Sequence, residues 1–168
     1  PLADTSLPDA GFVYLPGGYP ELYLAALSAN RQMLQSIRRY VESGGKLLAE
    51  CGGMMYLCDE IRDKNGDVYP MAGVLHQSAT MENMKLRLGY RTLLCNETRL
   101  KGHEFHYSRL VEQQNPLPSC AVAYTAKGVE TDTPLYHYKN VWAGYTHLYW
   151  ADPVGNEWFT KFVIDGNT

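Results

Sequence analysis

The chain has no long apolar run: no stretch of its 168 residues approaches the ~18 apolar residues that a membrane span requires, so no membrane association is expected. It has no basic excess, since 15 Lys and Arg stand against 18 Asp and Glu for a net charge of -3, and nucleic acid is not an expected partner. Its four cysteines, Cys51, Cys58, Cys95 and Cys120, show neither Cys-x-x-Cys spacing nor the density of a disulfide scaffold. They read as free thiols in a reducing compartment. A Gly-x-x-x-x-Gly-Lys-Ser/Thr phosphate loop is missing, as are internal repeats, low-complexity tracts and an interdomain linker. The first residues have no targeting character and start at Pro1 rather than Met, so the expectation is a cytoplasmic piece of a longer chain.

What is present is the composition of an ordinary folded domain, 45% hydrophobic and 20% charged, with length enough for one sizeable core. Residues 12–15 form a short apolar run closed by Pro16-Gly17-Gly18, which reads as a buried strand entering a loop. Farther on, Asn30 can cap a helix in which Met33, Leu34, Ile37, Tyr40 and Val41 recur at helical spacing, and Gly44-Gly45 ends it. Residues 46–50 return as a strand. The stretch 12–50 is therefore a strand–helix–strand unit, which normally makes a parallel pair with a right-handed crossover.

The second half changes character. Asp63-Lys64-Asn65-Gly66-Asp67 signals a turn, and Met84, Leu86, Leu88 and Tyr90 alternate with Lys85, Arg87, Gly89 and Arg91 as in a half-buried strand. Further strands are predicted near 103–111, 120–126, 134–138 and 141–147, followed by a short helix with Trp158, Phe159, Phe162 and Val163 facing inward. The fold class is α/β: a three-layer open sheet with central parallel strands, antiparallel additions and helices on both faces.

The chemistry concentrates at residues 47–56, LLAECGGMMY: an apolar strand, a cysteine, two glycines, then a run able to continue as a helix. A strand–Cys–Gly–Gly–helix passage raises a nucleophile on a tight turn, with the thiol at a helix N-terminus that favours thiolate. Against this stands the plain reading of Cys51 as a small buried hydrophobe. A thiol nucleophile needs a base, and His147 is the best placed of five histidines, because it follows the apolar run 141–145 at the end of a neighbouring strand. His76, His103, His106 and His137 are its competitors. His103 and His106 with Glu104 suggest a metal, but positions 103 and 106 point to opposite faces of a strand and chelate poorly together, so no metal is expected.

The series LPGGYPEL (15–22), AECGGMMYL (49–57), LGY (88–90), GHEFHYS (102–108) and GYTHLYW (144–150) resembles the glutamine amidotransferase domain of cobyrinic acid a,c-diamide synthases, in order and over nearly the whole chain. The resemblance implies a class I glutamine amidotransferase-like, flavodoxin-like fold spanning 1–168, the C-terminal part of a synthase. It implies a Cys51 nucleophile acting on L-glutamine, with His147 as base and later acid. It also implies oxyanion donors from the backbone N–H groups of Gly17, Gly18 and Gly52. No cofactor is expected in this chain. ATP, Mg²⁺ and most of the tetrapyrrole's contacts are expected in a preceding synthetase domain, whose product would be amidated on its a and c carboxylates with the ammonia supplied here. The polar density of GHEFHYS suggests that His103, Glu104 and His106 lie at the junction with that domain, lining an ammonia route or the tetrapyrrole cleft, against the plain reading of a buried, hydrogen-bonded strand.

Two departures from the commoner glutaminase pattern stand out: Ala49 replaces the first glycine of Gly-x-Cys-x-Gly, and Tyr149 stands where His-x-Glu would place glutamate. Both leave open which group orients His147. Two readings from other classes also remain open. One is a stand-alone cysteine hydrolase of the DJ-1/PfpI type; the other is a non-catalytic docking domain that keeps the fold.

Overall fold

Apolar runs ended by proline or glycine become the strands that carry the site. The structure is a computed structural model and describes residues 1–165. Strands β1 (Phe12–Leu15) and β2 (Lys46–Glu50) pair in parallel, with Phe12 opposite Lys46 and Leu15 opposite Ala49. The chain between them runs through a 3-10 turn at Pro20–Leu22, then helices α1 (Leu24–Ala29) and α2 (Arg31–Glu42). Asn30 caps α2 as expected, its side chain accepting from the Met33 amide at 3.3 Å. Gly44, at φ +91, ends it in the left-handed region that glycine tolerates. Ile37 and Val41 are fully buried, each contributing roughly 1.5–3 kcal/mol of burial free energy.

After β2 come α3 (Gly52–Leu57), β3 (Glu60–Arg62), β4 (Val68–Pro70) and β5 (Ser78–Thr80). A long hairpin follows, β6 (Arg87–Cys95) and β7 (Thr98–His106), then β8 (Arg109–Leu110), β9 (Val122–Thr125) and β10 (Glu130–Thr131). The chain ends through β11 (Leu135–Tyr138), β12 (Val141–Gly144), β13 (His147–Leu148) and α4 (Pro153–Thr160).

The central parallel strands form as the sequence indicates, with β2 between β1 and β12 and antiparallel β11 at the edge. The other strands make two further sheets, an antiparallel one ordered β10-β9-β6-β7-β13 and a mixed one ordered β4-β3-β5-β8, in which β3 and β5 run parallel. Two expected strands divide between sheets. The run 141–147 leaves the first sheet after Gly144 and enters the second at His147, opposite His103; the run 103–111 leaves the second sheet at His106 and enters the third at Arg109.

The first sheet is covered on both faces. Period-2 alternation sends Leu47 and Ala49 to one side, against Leu34, Ile37, Val41 and Met54, and sends Leu48 to the other. There Leu48 and Trp142 meet Leu93, Leu100, Trp158 and Phe162, with Phe159 and Val163 packed against them as expected for the last helix. Trp142 and Trp158 meet edge to face at 5.1 Å.

The strand expected from Met84 begins at Arg87, Met84, Lys85 and Leu86 all being exposed ahead of it, and from there the alternation keeps its period and reverses its sides. Leu88 and Tyr90 point outward, 61% and 75% exposed, while Arg91 turns inward and pairs with Glu104 at 2.8 Å. Glu104 is 1% and His106 6% exposed, and both side chains lie inside this chain, on the packed face of the strand. His103, on the opposite face, is exposed. A carboxylate paired with guanidinium is far cheaper to bury than an isolated one, so the charges go in together.

Candidate active site

Cys51 sits between β2 and α3 with φ 48 and ψ -109, a backbone conformation that costs a non-glycine residue on the order of 1–3 kcal/mol. Its surroundings hold it there. The Cys51 amide donates to Gly144 O at 2.8 Å, and its carbonyl accepts from the Met55 amide at 3.0 Å. The two glycines that follow let the Leu15–Pro20 loop lie directly on the elbow. A Cβ on Gly52 would stand 2.6 Å from Gly18 O, and one on Gly53 would stand 2.1 Å from Leu15 O. Gly17 lies against the His147 ring in the same way, a Cβ there falling 2.3 Å from Cε1. The structure thus gathers Cys51, His147, Gly17, Gly18 and Gly52, the residues singled out in the sequence. Among the described residues, the amides of Gly17, Gly18 and Gly52 donate to no backbone carbonyl outside helices and strands.

The His147 imidazole feels the Cys51 thiol first and the Glu50 carboxylate second. Together they push the His147 pKa up to about 9, against an opposing effect of burial.

Glu50 is the residue that sequence reasoning missed. It is 3% exposed, and its Oε2 lies 3.6 Å from His147 Nδ1 and accepts from the Tyr14 hydroxyl at 2.7 Å. Its Oε1 accepts from the Leu148 amide at 3.0 Å. One carboxylate therefore ties β1 and β2 to β13 and orients the imidazole, the place left open by Tyr149, which is 58% exposed. The signal available was a glutamate closing the otherwise buried strand KLLAE. Burial, then the bond to Glu50, raises the Tyr14 phenol well above its ordinary range, so Tyr14 remains a donor to that carboxylate.

His103 stacks on His147 at 5.0 Å and 21°, and the Phe105 carbonyl lies 3.9 Å from the Cys51 sulfur, so β7 closes the far side of the pair. His106 does not reach it. That ring stacks on Tyr145 at 3.8 Å and its Nδ1 is 2.9 Å from Ser108 O, while burial lowers its pKa. Two clefts flank the pair, one of about 340 Å³ at Tyr14, Gly17, Gly18 and Gly52, the other of about 480 Å³ at Tyr90, His103, His147 and Tyr149.

A cysteine on a strained elbow, an imidazole oriented by carboxylate and glycine amides beside both can together run acyl transfer from an amide. Residues 1–154 match the family of CobB/CobQ-like glutamine amidotransferase domains. The chain belongs to that family. A hydrogenobyrinate a,c-diamide synthase of Pseudomonas aeruginosa is 38% identical over 154 residues, 89% of this chain and 34% of that protein. A cobyrinate a,c-diamide synthase of Salmonella typhimurium is 35% identical over 159 residues, 90% of this chain and 35% of that protein. This amidotransferase domain thus spans about a third of the length of the curated relatives it matches. A crystal structure of a glutamine amidotransferase superposes with a TM-score of 0.58 at 18% identity, covering 91% of this chain and 79% of that one, and shares the fold.

Proposed function

We propose that this chain is the glutaminase part of a cobyrinate or hydrogenobyrinate a,c-diamide synthase and releases ammonia from L-glutamine for amidation of the tetrapyrrole's a and c carboxylates. The observation that carries the reading is the Cys51–His147–Glu50 constellation under the Gly17-Gly18 loop. Cys51 sulfur, as thiolate, adds to the carboxamide carbon of glutamine. The oxyanion that forms takes hydrogen bonds from the backbone amides of the glycine loop and Gly52, each such donor being worth ~3 kcal/mol to the transition state. The His147 imidazolium gives its proton to the departing nitrogen, the C–N bond breaks, and ammonia leaves a γ-glutamyl thioester on Cys51. Neutral His147 then takes a proton from water, which attacks the thioester; glutamate departs and the thiol is restored.

ATP and Mg²⁺ belong in this reading to a separate synthetase segment that activates the acceptor carboxylate, and the tetrapyrrole is held largely there. Among the described residues no group of three or more His, Cys, Asp or Glu is arranged to hold a metal ion. No helix among them is long and apolar enough to cross a membrane, and a cytoplasmic location suits the pathway.

The test is glutamine hydrolysis by the chain with its synthetase segment, ATP and cobyrinate, against Cys51→Ala and His147→Ala. Both variants should lose at least ~10³-fold, with the γ-glutamyl thioester trapped on Cys51 by acid quench in the parent. Turnover of peptides or esters in preference to glutamine would favour a stand-alone hydrolase, and no turnover under any condition a docking role.

A further inference from the structure

Toward its open end the outer face of the β6–β7 hairpin is apolar where a solvated antiparallel face is ordinarily polar. In the ladder Leu88 lies opposite Phe105 and Tyr90 opposite His103, and the approach to β6 brings up Leu86 and Met84, with the Lys85 amide donating to Tyr107 O at 3.3 Å. Met84, Leu86, Leu88, Tyr90, Phe105 and Tyr107 are 54%, 44%, 61%, 75%, 39% and 41% exposed. Contiguous apolar patches of this kind mark interaction sites, and methionine, tyrosine and phenylalanine are the residues enriched at interface centres. The inner face of the same half-hairpin already carries the buried Arg91–Glu104 pair, so neither face has the polar exterior of a hairpin left in water.

The patch is also continuous with the catalytic pair. Phe105 supplies the carbonyl beside Cys51, and His103 stacks on His147. Any occupant of the outer face therefore lies against the strands that hold the reacting groups. The relatives contain about twice as much chain outside the matched region as within it. A second copy of this chain is a poor occupant, because a symmetric pairing would set two ammonia sources face to face with no acceptor between them.

We propose that the Leu86–Tyr90 and Phe105–Tyr107 face is the docking surface for the ATP-dependent, carboxylate-activating segment, which covers the mouth beside His147 and receives ammonia there. The proposal rests on the glutaminase reading given above. Ammonia that escapes into neutral water is protonated and is no longer a nucleophile, so the two units must meet at the point of release. A surface next to the pair and unsuited to water meets that requirement.

The intact synthase, this chain together with its ATP-dependent segment, is the material for the test. A photo-crosslinking p-benzoylphenylalanine at Leu88 should join the chain to the ATP-dependent segment; the same group at Val129, 61% exposed on another part of the surface, should not. Cross-links from Leu88 only to a second copy of this chain, or none above those from Val129, would overturn the proposal. The double variant Leu86→Glu/Leu88→Glu should lower glutamine-dependent amidation at least tenfold, while amidation driven by ammonium salt and glutamine hydrolysis by the chain without the segment stay within twofold. Unchanged glutamine-dependent amidation would overturn it, and so would an equal loss with ammonium salt. A wild-type protein that ignores glutamine or amidates some other acceptor refutes the functional reading instead, and the cross-link map still decides the docking surface.

Discussion

Near its turn the β6–β7 hairpin points Leu93, Cys95 and Leu100 into the core and Arg99 and Lys101 to water, whereas toward its open end it points Arg91, Glu104 and His106 inward and Leu88, Tyr90 and Phe105 outward. The first half is explained by this chain alone, since alternation removes apolar side chains from water and leaves charge in it. The second half keeps the period and exchanges the faces. That exchange costs desolvation on one side and leaves apolar area wet on the other, and it occurs only in the stretch that adjoins Cys51 and His147. Stability explains one half, and the docking proposed above would account for the other.

The largest effect that can break this contrast lies on the inner face. Glu104→Ala strands the Arg91 guanidinium, whose side chain is only 10% exposed, and should cost about 3–5 kcal/mol. Leu93→Ala in the conventional half should cost about 2–5 kcal/mol through cavity formation. Urea unfolding of both variants measures this. A cost for Glu104→Ala of about 1 kcal/mol or less, the range of an exposed pair, would mean that the inverted half is solvated and that the contrast fails.

How far the sequence reaches follows from the same residues. The unit over residues 12–50, the elbow and the His147 partner were legible because each is local: an apolar run, a Pro-Gly or Gly-Gly stop, a cap at Asn30. The division into three sheets was not, because it rests on pairings between residues far apart in the chain, His147 with His103 and Arg109 with Thr80. From Arg87 onward the period was legible and its direction was not, since alternation names two faces without saying which one meets the core. Glu50 escaped because the search for an orienting carboxylate followed the chain beyond His147, while the fold supplies it from the residue before Cys51.

The second prediction sharpens the contrast at the catalytic end. His147, raised to about 9 in the folded chain from an ordinary ~6.5 unfolded, contributes stability that is fully present below ~6.5 and is lost as the pH climbs through about 9. Cys51 is the larger cause and Glu50 the second. In an NMR titration of the ring proton, Cys51→Ala should therefore bring the midpoint down further than Glu50→Gln does. The reverse order would make Glu50, rather than the thiol, the group that sets the protonation of the pair.

The smallest effect is the most discriminating. Leu88→Ser removes an exposed side chain that packs only across the ladder, opposite Phe105, so the stability of the chain by itself should change by no more than about 0.5 kcal/mol. The same substitution in a conventional position, Leu93→Ser, adds a buried hydroxyl to a cavity and should cost several times as much. With the synthetase segment present the ranking changes, because Leu88 then moves from water into an interface and its loss lowers the melting temperature of the assembly while leaving that of the free chain unchanged. A Leu88→Ser variant that destabilises the free chain as much as Leu93→Ser would show that the outer face is already buried within this chain, and the apolar stripe would need no partner to explain it.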